Sequence, residues 1–92
     1  MVKADWSNKT SSATVHTGTG DVISVVLTSG SDAATAIVYD NTSATGTIVC
    51  KLAANAANTT AVWQPGAALP VGTGIHVALT GTAPSCTVAY LQ

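Results

Sequence analysis

Arginine, glutamate and phenylalanine are missing from this chain, and only seven ionisable Asp and Lys side chains occur among its 92 residues. A folded 9.1 kDa monomer exposes on the order of 4,900 Å², so each charge serves roughly 700 Å² of surface. Soluble surfaces are typically about a quarter to a third charged, and a net charge near zero gives little repulsion against self-association. The composition therefore points to a chain whose neighbours cover part of its surface, that is, to a member of an assembly and a homo-oligomer. Each further shortage excludes a class. Three scattered lysines and no arginine make no phosphate track, so nucleic acid is not an expected partner. The mean hydropathy is +0.40, yet no apolar run approaches the roughly 20 residues of a membrane-spanning helix, so no membrane is expected either. The opening Met1-Val2-Lys3-Ala4-Asp5-Trp6 lacks the apolar segment of a secretory signal, so the expected place of synthesis and assembly is a cytoplasm. Aromatics are confined to two Trp and two Tyr, which leaves little bulky core material and makes oligomerisation a source of further burial.

What is present is β-branched. Val, Ile and Thr dominate segments 12–16, 21–29, 35–40, 47–53, 59–64, 74–80 and 85–91, and such side chains suit a pleated surface and disfavour helix. Turn-forming clusters separate them, among them Gly18-Thr19-Gly20, Ser29-Gly30-Ser31-Asp32, Asp40-Asn41-Thr42-Ser43 and Gly81-Thr82-Ala83-Pro84. The expected fold is all-β: one small antiparallel sandwich, jelly-roll or immunoglobulin-like, of about seven strands over residues 12–92, preceded by an N-terminal arm over 1–11. Alternation assigns Ile48, Cys50 and Leu52 to the core with Lys51 opposite, and likewise Ile75, Val77 and Leu79, and Cys86, Val88 and Tyr90. Ile37 with Tyr39, Ala61 with Trp63, and Ile23 with Val25 or Val26 complete that core. Residues 52–58, with four alanines, supply at most a turn or two of helix.

Chemistry-bearing motifs are sparse. Cys50 and Cys86 flank Trp63, as the cysteines of immunoglobulin sandwiches flank a Trp, but only 36 residues separate them and no Tyr stands two positions before Cys86. They are either a buried reduced pair or a disulfide. His16 and His76 have no Glu or third thiol at metal-ligand spacing, so neither metal nor cofactor is expected. No Ser, His and Asp lie in a nucleophile elbow, and the expectation is a protein without enzymatic activity. Gly18-Thr19-Gly20 and Gly72-Thr73-Gly74 lead into strands, not helices, and read as turns rather than phosphate loops. Three Asn-x-Ser/Thr triplets, at Asn8, Asn41 and Asn58, carry little weight in so Thr- and Ser-rich a chain. Trp6 stands outside the periodic segments, as a binding hot spot does, or as a lid folded over the core. Lys3, Asp5 and Lys9 are expected to form a polar rim around it, making Trp6, Lys3 and Lys9 the interface candidates.

From Thr35 onward the order of segments is distinctive: Ala36-Ile37-Val38-Tyr39-Asp40-Asn41, then Gly46-Thr47-Ile48-Val49-Cys50-Lys51-Leu52, an Ala/Asn loop, a Trp strand, Pro65-Gly66, Gly74-Ile75-His76-Val77-Ala78-Leu79-Thr80-Gly81, and Thr87-Val88-Ala89-Tyr90. This stretch, about two thirds of the chain, is similar to small all-β virion proteins of tailed bacteriophages, of the capsid decoration or cement type. Its motifs are strand and turn signatures, not active-site signatures. The resemblance implies a structural protein of the virion that packs on the major capsid protein or another virion protein, and carries over no functional residue. Two alternatives accompany it: a tail or fibre component, and a glycan-binding, adhesin-like module presenting Trp6 or Trp63 as a stacking platform.

Overall fold

The computed structural model describes residues 4–92. Nine strands are found among them: β1 (Ala4–Lys9), β2 (Ala13–Thr17), β3 (Gly20–Thr28), β4 (Ala34–Asp40), β5 (Thr47–Ala54), β6 (Thr60–Trp63), β7 (Leu69–Val71), β8 (Gly74–Thr80) and β9 (Ser85–Leu91). They form two antiparallel sheets packed as a sandwich. The first has the order β1-β9-β3-β6, with β7 also on β3, and the second has the order β2-β8-β4-β5. Pairing is nested about the β4–β5 hairpin: β3 pairs β6 and β7, β2 pairs β8, and β1 pairs β9. Successive layers of this long ribbon alternate between the two sheets, and lateral pairs β3–β9 and β4–β8 close them.

The seven expected strands are present with shifted ends. The two additional ones are β7 and β1. The expected arm is not separate over its described part, because residues 4–9 form an edge strand hydrogen-bonded along β9. Lys3 lies outside the described residues. The alanine-rich segment makes no helix: β5 runs on to Ala54, and a tight turn through Asn58, at φ 55°, leads to β6.

The core is filled mainly with small and mid-sized aliphatic side chains. Val22, Val25, Leu27, Ala34, Ala36, Val38, Cys50, Ala54, Val71, Ile75, Val77, Cys86, Val88 and Tyr90 are buried, with Leu52, Leu79, Ala61 and Trp63 packed against them. Full burial of a Val, Leu or Ile contributes about 1.5–3 kcal/mol, so Leu27, Ile75 and the valines carry most of the hydrophobic stabilisation. Four expected core positions face outward instead: Ile48, Ile37, Tyr39 and Ile23. A bulge between Val38 and Tyr39 pairs Val38 with Cys50 but Tyr39 with Ile48, so Val49 is an extra residue and the β5 alternation inverts. Ile48 is consequently 43% exposed, and Val49 packs against the core in its place. In β4 the inward parity belongs to Ala34, Ala36 and Val38, which leaves Ile37 and Tyr39 half-buried on the outer side. A second bulge, between Val22 and Ser24, sends Val22 and Val25 inward and turns Ile23 and Val26 outward.

One carboxylate ties a turn to this frame. Asp40, at the end of β4, accepts hydrogen bonds from the backbone N–H groups of Gly72 (3.1 Å), Thr73 (2.9 Å) and Gly74 (3.4 Å), closing the turn between β7 and β8. Those donors, Thr73 first, hold its carboxyl below the usual aspartate range.

Two outcomes follow from this packing. Leu27→Ala is expected to lower unfolding stability by about 2–5 kcal/mol and Ile48→Ala by less than about 0.5 kcal/mol in urea melts, the reverse of what unbroken alternation on β5 requires. For Asp40, a folded pKa below the unfolded one means that its contribution is complete above the unfolded value near 4 and disappears as pH falls through the lower folded value. Asp40→Asn is expected to cost about 1 kcal/mol at pH 7, less than is usual for a charged hydrogen-bond acceptor because solvent screens the group, and to flatten the acid limb of a stability–pH profile.

Candidate interaction face

Every second residue of β1 is exposed, because β1 is an edge strand whose other side alone meets the sandwich rim. Trp6 pairs with Ala89, an outward position of β9, and is 68% exposed. It is a surface aromatic and not a lid. Asp5 and Lys9 differ from it in parity, pair with the inward positions Tyr90 and Cys86, and are half-buried at the rim of the sandwich. The expected polar rim is therefore not assembled: three residues of separation in a strand put Trp6 and Lys9 on opposite faces. Asp5 is occupied locally, its Oδ1 accepting from the Trp6 backbone N–H at 2.8 Å and its Oδ2 from the Gln92 amide at 2.9 Å.

The register places Trp6 in a row running across the sheet through Ala89 and Ser24 to Gln64, which follows Trp63, the partner of Val25. The next row holds Asn8, Thr87, Val26 and Val62, the last 53% exposed. Beyond Trp6 on the other side lie Ala4, Leu91, Asp21 and Pro70. Among the described residues, Asp21 at that end is the one charged side chain whose register falls on this face.

A shallow open groove of about 530 Å³ lies at the far end of the Trp6 row, lined by Ile23, Ser24, Gln64, Gly66, Ala67, Ala68 and Leu91. Its origin is local. β6 and β7 share one edge of β3 but leave it between them, and the connecting segment swings outward through Gly66 at φ 82°, a conformation that favours glycine. The β3 bulge turns Ile23 into the same gap. Beside Trp6, the Asn8 amide donates to Ser85 Oγ and Thr87 Oγ1, both at 2.8 Å, which fixes its plane and leaves its Oδ1 free to accept.

The remaining candidates are structural. Trp63 packs against the core and offers no platform. Cys50 of the second sheet and Cys86 of the first are both buried free thiols. Burial pushes the Cys50 thiol up to about 12, with Cys86 adding to the shift, and pushes Cys86 up to about 11. Neither is nucleophilic near neutral pH. His76 is half-buried on the outer side of the second sheet, its Nδ1 3.0 Å from Thr14 Oγ1, while His16 Nε2–H donates to the Thr19 carbonyl at 2.8 Å and its ring lies 5.5 Å from that of Tyr90. Among the described residues no three His, Cys, Asp or Glu side chains gather as metal ligands.

Sequence reasoning found Trp6 but missed Val62, Leu91 and the groove. Val62 was within reach, since it neighbours the inward Trp63; the groove was not, since it depends on which edge β6 and β7 share. Comparison of the chain with known protein families, with curated proteins and with solved structures finds no match in any of the three.

Proposed function

We propose that this protein is a non-enzymatic structural component of a tailed-bacteriophage virion, a capsid decoration or cement protein that self-associates and stabilises contacts between capsid subunits by burying surface. The observation that carries the reading is the outer face of the first sheet: a sheet face bearing Trp6, Val62, Leu91, Val26 and Ile23 and, among the described residues, a single charge at its end, on a molecule of only 4685 Å² accessible surface. Within this proposal the sandwich is a jelly roll. Setting β7 aside, β1-β9-β3-β6 opposite β2-β8-β4-β5 is the arrangement of an eight-stranded antiparallel ribbon rolled into two sheets, an architecture that recurs in viral capsid and lectin domains. That recurrence is a fold-level analogy, and the function rests on the face.

Capsid binding by a chain with so few charges draws on apolar anchors and backbone groups, so it responds little to ionic strength. Capsids carrying the protein are expected to retain it on sedimentation from low salt to about 1 M salt, where the Debye length is only about 3 Å. Release at moderate salt, or no retention under any condition, overturns the proposal.

A glycan-binding module is the second reading, favoured by the exposed Trp6 ring beside the clamped Asn8 amide with its free acceptor. In a Trp63→Phe background, which leaves Trp6 as the sole indole, saturable quenching of fluorescence by an oligosaccharide supports that reading. Flat titrations across a sugar panel, with particle binding intact, reject it.

A further inference from the structure

We infer that two copies of this chain pair face to face through the outer side of the first sheet, about a two-fold axis lying along the strands between β9 and β3, with Trp6 of each copy seated in the groove of the other. This deepens the self-association part of the proposed function by naming its surface.

The face is complementary to itself. Rotation about that axis exchanges β1 with β6 and β9 with β3 while leaving position along the strands unchanged. Trp6 and the groove occupy opposite ends of one cross-strand row, Trp6–Ala89–Ser24–Gln64, about three strand spacings or 14 Å apart. The rotation therefore sets each Trp6 over the partner's Gln64, and the contact occurs twice, as an isologous interface requires. Between the two anchors, Ala89 of one copy meets Ser24 of the other, and both are small enough for close approach. In the next row Asn8 faces the partner's Val62, and Thr87 the partner's Val26.

Charge and size agree. Asp21 is the single charged side chain that the register of the described strands brings to this face, and it sits at the end, next to water. A broad face of 40 × 24 Å has a footprint of roughly 750 Å², matching the roughly 800 Å² per partner of a standard stable interface. On the other sheet's outer face the central row, Thr14–His76–Tyr39–Ile48, ends at the exposed Ile48, with the charged Lys51 of the next row beside it.

Sedimentation velocity over a concentration series tests the pairing on the wild type and on Trp6→Ala, Ala67→Asp, the double variant and Ile48→Ala. All three altered positions are exposed, and thermal melts confirm that each variant folds. A wild-type dimer whose dissociation constant rises on the order of 100-fold or more in Trp6→Ala and in Ala67→Asp, no further in the double variant, and not at all in Ile48→Ala is the expected result. A wild-type oligomer indifferent to Trp6→Ala and Ala67→Asp overturns this interface while leaving self-association standing. A wild type that stays monomeric at high concentration overturns both.

Discussion

Side-chain parity along paired strands is the constraint on which the rest of this structure depends. With no Phe and a core of Val, Ala, Cys, Leu and Ile beside Tyr90, each strand has one face to give to the interior. The other face must meet water or another surface. In a charge-rich protein that face carries Lys and Glu. Here the alternation has mostly Thr, Ser, Asn and more aliphatics to place there, so the outer faces of the sandwich carry little charge, Asp21 on the first sheet and Lys51 on the second.

Two bulges decide how that neutrality is distributed. The extra residue in β5 exchanges Ile48 for Val49 in the core and leaves an isoleucine exposed. The one in β3 rotates Val22 inward and brings Ile23 out beside Ser24, where the break between β6 and β7 has already left the sheet edge uncovered. A groove results at one end of the first sheet, while the edge strand β1 presents Trp6 at the other. Knob and groove thus arise from separate local events and acquire joint meaning only because both lie in one row of the same sheet.

The interior is correspondingly inert. Both thiols are neutral and enclosed, Tyr90 is buried under the His16 ring, and the one carboxylate held by several backbone donors, Asp40, anchors a turn far from Trp6 in the topology. Near the proposed contact the Asn8 amide N–H groups are taken up by Ser85 and Thr87. The molecule's stability draws on the inward aliphatic residues, and the association proposed for it draws on the outward ones.

Much of this was legible from composition and periodicity: the all-β class, the seven principal strands, the inward parity of β8 and β9, and an exterior poor in ions. Those properties are local or global averages, written in β-branching, alternation and charge count. The bulges, the β1–β9 pairing and the groove were decided by tertiary structure, because each depends on which strand lies beside which. A bulge shifts parity through a single unpaired residue that carries no mark in the sequence, as Val49 and Ile23 illustrate. Residues 4–9 look like an arm until β9 supplies hydrogen-bond partners at its edge. Chain chemistry set what this surface is made of; strand neighbours set where on it the one exposed indole and its matching hollow would stand.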